Sequence, residues 1–113
     1  METNTLKIMK TNYISCIEAC QKCLIDCQNC LVNMATKSSM NDCPVCCVEC
    51  IDACLACIKF LSADSKYASK YCSICAEICK WCAEQCGEHD HKHCQTCAES
   101  CLKCAEECEK IAA

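Results

Sequence analysis

Cysteine recurs through this chain in steps of three and four residues, in four separate blocks. The first is Cys16, Cys20, Cys23, Cys27 and Cys30; the second is Cys43, Cys47, Cys50, Cys54 and Cys57, with Cys46 as an extra. The third is Cys72, Cys75, Cys79, Cys82 and Cys86, and the fourth is Cys94, Cys97, Cys101, Cys104 and Cys108. Twenty of the 21 cysteines obey this spacing. A mean step of about 3.5 residues places each block on one face of an α-helix. In a helical bundle that face carries Leu and Ile at the a and d positions. Here it carries thiols, and thiolates are soft ligands. A buried array of this density is suited to binding many soft metal ions.

Other uses of cysteine fit less well. Simple core filling accounts for a few buried thiols but not for a seam made of them. Within one helix, residues three or four apart hold their Cβ atoms roughly 5–6 Å apart, whereas a disulfide wants about 3.5–4.5 Å. The segment Cys43-Pro44-Val45-Cys46 has the form of a thiol–disulfide active site. It lacks a βαβ setting, however, and C-x2-C occurs nine times here as a by-product of the seam. No C-x2-C-x2-C-x3-C-P run and no C-x2-C-His is present, which argues against Fe–S clusters and c-type haem.

Zinc is the more serious rival, since thiolates bind it well. Charge separates it from copper. A zinc ion held by four thiolates carries two surplus negative charges, and the seam holds no Lys to offset them. Uncompensated charge in a core is costly. One Cu(I) per thiolate leaves the core neutral, and Cu(I) accepts two or three sulfurs without a tetrahedral cage. The residues therefore point to storage of many Cu(I) ions and to no enzyme. A general thiolate buffer for zinc and a thiol–disulfide redox protein stand as alternatives.

The elements that must position these thiols follow from composition. The chain has 113 residues, the length of one domain, with a single Gly and a single Pro. Its 53% apolar fraction counts cysteine, and alanine supplies 12 of the other apolar residues. Few large side chains remain for ordinary burial, so cysteine must pack as well as bind. One Phe and nine Ile give a β-rich fold little support. The net charge is −4 and every basic residue is Lys, which argues against nucleic acid as a partner. Met1 to Tyr13 is polar, with Lys7 and Lys10, and no stretch has the length of a membrane span. Neither a secretory signal nor a membrane partner is expected, and the cysteines belong in a reducing cytoplasm.

The seam predicts four helices, at about 5–33, 42–61, 64–86 and 90–111, in an all-α, antiparallel up-down-up-down four-helix bundle with a cysteine-lined core. Asp42 is the expected N-cap of the second helix, with Pro44 in its first turn. Asp64 or Ser62 would cap the third helix, and Gly87 would follow it as a C-cap. Antiparallel order gathers Leu6, Met9, Tyr13, Phe60, Leu61, Ala68 and Ile111 into an apolar plug at one end. The other end gathers Met34, Met40, Cys30, Cys43, Cys46, Cys86, Cys94 and the run His89-Asp90-His91-Lys92-His93. His89, His91 and His93 are thus candidate ligands at an entrance, and Met34 and Met40 are candidate ligands or apolar caps.

Four cysteine-lined helices, no signal sequence and a histidine-rich lead into the last helix closely resemble the bacterial cytosolic copper storage proteins. The resemblance runs from Cys16 to Cys108. It implies a bundle that fills with Cu(I) on thiolates from every seam cysteine, an entrance at His89, His91 and His93, and assembly into homotetramers.

Overall fold

The structure, a computed structural model, describes residues 9–112. Four helices make up the architecture: α1 Thr11–Met34, α2 Val45–Ser62, α3 Ala68–Gly87 and α4 Lys92–Ala112. Each packs against its two neighbours around a ring in chain order, and the diagonal pairs, α1 with α3 and α2 with α4, keep their backbones apart across the core. This is the up-down-up-down bundle that short connections enforce. No helix is long and apolar enough to cross a membrane among the described residues.

The core is made of cysteine. All 21 are free thiols with no exposed surface. The only fully buried side chains larger than cysteine among the described residues are Met34 and Leu61, at opposite ends of the bundle. Alanines at 19, 76, 83, 98 and 105 let the helices approach, and Ile17, Leu24, Leu31, Ile51, Ile58 and Ile78 pack against the flanks of the thiol column.

The helix ends depart from the sequence expectation in ways that have local causes. The start expected at residue 5 lies outside the described residues, and so does Leu6 of the apolar plug; Met9 and Lys10 are non-helical. Lys10 is extended (ψ 143°), so α1 begins at Thr11, just over one turn before Cys16. Asp42 is not the N-cap of α2: Pro44 takes that position, with the helix starting at Val45. The Asp42 carboxylate instead accepts from Trp81 Nε1 at 3.0 Å.

Neither Asp64 nor Ser62 caps α3. Asp64 adopts φ +50° and closes α2, with Asp64 N donating to Leu61 O and Ser65 N donating to Phe60 O. That pair of bonds is a Schellman closure, made with Asp in the left-handed position usually taken by Gly. Tyr67 is the N-cap of α3, and Ser65 Oγ, two residues before it, accepts from Tyr67 N at 3.0 Å. Gly87 is the last residue of α3 rather than a residue beyond it, and its backbone needs no positive φ. Gln95 does the C-capping from α4, donating to Gly87 O at 2.9 Å.

Candidate metal centre

Each helix delivers its cysteines inward because steps of three and four keep returning to one face. The result is a column of sulfurs along the bundle axis. Cys20, Cys57, Cys75 and Cys108, one from each helix, bring their sulfurs within 4.8 Å of one another. So do Cys20, Cys54, Cys75 and Cys104, and again Cys27, Cys47, Cys82 and Cys97. Between them lie Cys23, Cys27, Cys50 and Cys101, and Cys23, Cys50, Cys54 and Cys79. Neighbouring groups share members, so these are linked sites rather than isolated cages.

Sulfur contacts across the bundle close the column. Cys50 Sγ lies 3.9 Å from Cys101 and 3.5 Å from both Cys23 and Cys79. Cys54–Cys104 and Cys47–Cys97 join α2 to α4 across the diagonal at 3.9 Å each. Within single helices the C-x3-C pairs also converge: Cys23–Cys27 at 3.9 Å, Cys75–Cys79 at 3.8 Å and Cys82–Cys86 at 3.9 Å. Paired sulfurs at such spacing can turn jointly toward a soft ion. Cys46, outside the seam spacing, is also buried, 3.9 Å from Cys86.

Ionisation in this column is set by neighbouring thiols and by burial. Cys30 is drawn down to about 6 by thiols hydrogen-bonded to it, chiefly Cys47 and then Cys86. Cys43 is pushed up to about 11, first by desolvation. Deeper in, Cys50 and Cys97 are lowered, with Cys101 the main cause for both, while Cys82 is raised, again chiefly through Cys101.

The mouth of the column lies where Cys30, Cys43, Cys86 and Cys94 meet. Cys30 Sγ is 3.6 Å from Cys94 and 3.9 Å from Cys43, and Cys43 is 3.5 Å from Cys86. The three histidines gather there but differ. His93 points Nδ1 at Cys94 Sγ, 3.5 Å away, and its Nε2 is buried without a partner among the described residues. His91 is exposed and stacks on His93 with centroids 5.2 Å apart. His89 is buried and hydrogen-bonded to Ser39 and Asn41. Met34 is sealed into the core, whereas Met40 is 72% exposed.

Sequence reasoning missed two sets of polar residues. Ser39, Asn41, Asp42, Trp81, Gln85 and Glu88 knit the α1–α2 connection to the end of α3. Asp26 and Glu107 are buried carboxylates on the α1–α4 side. Asp26 accepts from Lys22 and Ser100, and Glu107 from Lys110 at 2.9 Å. A signal for the second set existed: Asp26, Ser100 and Glu107 each stand immediately before a seam cysteine.

The comparisons with known proteins agree with this geometry. The family model described as copper storage protein matches residues 4–113. Among solved structures, the Cu(I)-bound copper storage protein BsCsp3 is 38% identical, with 91% of this chain and all of that chain covered at a TM-score of 0.86. Apo copper storage protein 3 from Bacillus subtilis is 39% identical over 88% of this chain and 98% of its own, with a TM-score of 0.84. A cytosolic copper storage protein from Streptomyces lividans, captured with five coppers, is 28% identical over 89% and 92% of the two chains, at a TM-score of 0.82. No curated protein sequence matches the chain.

Proposed function

The chain belongs to the copper storage protein family, and on that premise we propose that its 21 cysteines hold Cu(I) as thiolates along the whole bundle axis. Storage of many Cu(I) ions, which limits copper toxicity, is a non-catalytic role. The observation that carries the residue assignment is the overlap of the four-sulfur groups, each fully buried and each sharing members with the next. Copper is cargo, and each Cu(I) that displaces one thiol proton exchanges one positive charge for another, so the core stays neutral as it fills.

Loading proceeds from the mouth. His91 and His93 meet an incoming ion first, and imidazole holds Cu(I) less strongly than thiolate does. From Cys94 the ion passes to Cys30, Cys43 and Cys86, then to Cys47 at 3.7 Å, Cys97 at 3.9 Å and Cys27 at 3.5 Å. Each step exchanges one sulfur for a neighbour without releasing the ion to water. The protein works in the cytosol, as its Streptomyces lividans relative does, where thiols stay reduced. Homotetramer assembly is supported by large apolar side chains left outside the bundle, among them Ile25, Val32, Val45, Leu55, Ile74 and Leu102.

Titrating the reduced protein with Cu(I), with metal and protein quantified after gel filtration, tests the reading. Uptake of about one ion per thiolate is expected, accompanied by proton release. Saturation at a handful of ions would replace storage with a discrete-site function. Zinc uptake of equal extent and strength would favour the general thiolate buffer.

A further inference from the structure

The segment between α1 and α2 crosses the mouth of the thiol column and is tied down on its far side. Asn41 Nδ2 donates to Gln85 O at 2.8 Å and to Glu88 Oε1 at 2.7 Å. Asp42 N donates to Gln85 Oε1 at 2.9 Å, and Trp81 Nε1 donates to the Asp42 carboxylate at 3.0 Å. All of these partners sit in the last two turns of α3 or directly after it. The strap then runs into Cys43, whose N donates to Asn41 Oδ1 at 3.0 Å and whose sulfur touches Cys30 and Cys86.

His89 completes the attachment. Its Nε2 lies 3.1 Å from Asn41 Oδ1 and 3.1 Å from Ser39 Oγ. The Asn41 oxygen can only accept, so Nε2 carries the proton and donates. Nε2, engaged in this way, has no lone pair for a metal, and the ring's remaining lone pair is on Nδ1. His93, by contrast, faces a sulfur and has a ring nitrogen without a partner among the described residues.

We propose that the Ser39–Asp42 strap is the gate of the thiol column, and that His89 is its latch, a positioning residue that acts through its Nε2–H. The proposal rests on the storage reading, with Cu(I) as the cargo that passes. Releasing the latch frees the strap together with Cys43, and separates Cys43 from Cys30 and Cys86 at the mouth, where the column comes nearest to solvent. Exchange of ions with the outside is then limited by strap opening as well as by sulfur-to-sulfur transfer.

Two variants of the full chain test the gate, Asn41→Ala and His89→Ala, beside wild type, with circular dichroism as the check on folding. Amide hydrogen exchange of residues 39–43 in the reduced, metal-free protein reads the latch with no copper present. Removal of bound Cu(I) by a strong chelator reads the gate. Asn41→Ala should raise exchange in the strap and speed copper removal about five- to ten-fold, the effect of losing one or two net hydrogen bonds, with total copper bound unchanged. His89→Ala should act in the same direction. Wild-type exchange and wild-type rates in a folded Asn41→Ala protein would overturn the proposal. So would slower loading and removal in His89→Ala without any change in Asn41→Ala, because that split identifies His89 as a ligand. Should His89→Ala fail to fold, Asn41→Ala carries the test, since it replaces no histidine or thiol. A wild-type protein that bound only a few ions would defeat the storage reading instead, and the hydrogen-exchange measurement would still judge the latch.

Discussion

The two ends of the thiol column finish the same ladder with different materials. At the floor, beyond Cys16, Cys57, Cys72 and Cys108, the column stops against hydrocarbon. Leu61 is fully buried, Ala68 and Ile111 are buried beside it, and Tyr13 and Phe60 pack on the cluster. Phe60 also stacks on Tyr71, with centroids 4.1 Å apart. At the mouth, beyond Cys30, Cys43, Cys86 and Cys94, the cover is a strap held by hydrogen bonds and a group of histidines. Apolar burial has no competing partner in water, so opening the floor forfeits all of it. A hydrogen bond opened at the mouth is replaced by one to water at a net loss of only about 1 kcal/mol. The floor is therefore the costlier end to open, which supports the proposal that traffic passes through the mouth.

The largest effect should come from breaking the floor. Leu61→Ala removes the one large, fully buried aliphatic side chain there and leaves a cavity that the surrounding helix ends fill only in part. A loss of about 2–4 kcal/mol is expected for the reduced, metal-free protein by chemical denaturation. A cost below about 1 kcal/mol would mean that the thiols, and not the hydrocarbon plug, hold this end together.

How much of this contrast was legible in the chain follows from what each feature depends on. The seam cysteines, the four helices and the sorting of apolar and histidine residues to opposite ends rest on periodicity and on antiparallel order, and both are properties of the sequence. The helix ends were less legible. Asp42 and Asp64 are good cap residues by type, yet Asp42 is engaged by Trp81 of another helix and Asp64 by the closure of α2. Competition of that kind is settled only when distant segments meet. The strap was illegible for the same reason. Its hydrogen bonds join residues 39–42 to residues 81–89, and nothing near Ser39 or Asn41 announces the pairing. The histidine run suggested one role for three residues, and neighbours contributed by the α1–α2 connection divide them.

A subtler change sharpens the comparison at the mouth. Met34 is the counterpart of Leu61, the other large side chain with almost no exposure. Met34→Leu keeps the volume and removes the sulfur, and volume-conserving exchanges of this type cost less than about 1.5 kcal/mol. Copper capacity and loading rate should both match wild type if Met34 is a hydrocarbon cap. Fewer bound ions or slower loading would make the thioether a ligand and give the mouth a chemical role for every large residue it buries.

The smallest expected effect concerns acid, and it too distinguishes one end from the other. Glu107 lies one turn before Ile111, buried, with Lys110 Nζ at 2.9 Å and Lys103 Nζ at 3.3 Å. The hydrogen bond from Lys110 is the main cause that lowers its ionisation below the ordinary value of 4.5, against a desolvation cost that opposes it. A carboxylate lowered in the folded state stabilises above its unfolded-state value and loses that contribution as the pH falls through its folded-state value. Both lysines are about three-fifths exposed, so solvent screens the pair and the contribution is only about 0.5 kcal/mol. Glu107→Gln keeps the shape and an acceptor for Lys110 but removes the charge. Denaturation of the metal-free protein at neutral pH and again well below the folded-state value of Glu107 should show wild type more stable than the variant at the first and equal to it at the second. An unchanged difference between the two pH values would mean that Glu107 acts through packing alone, and that the floor owes nothing to charge.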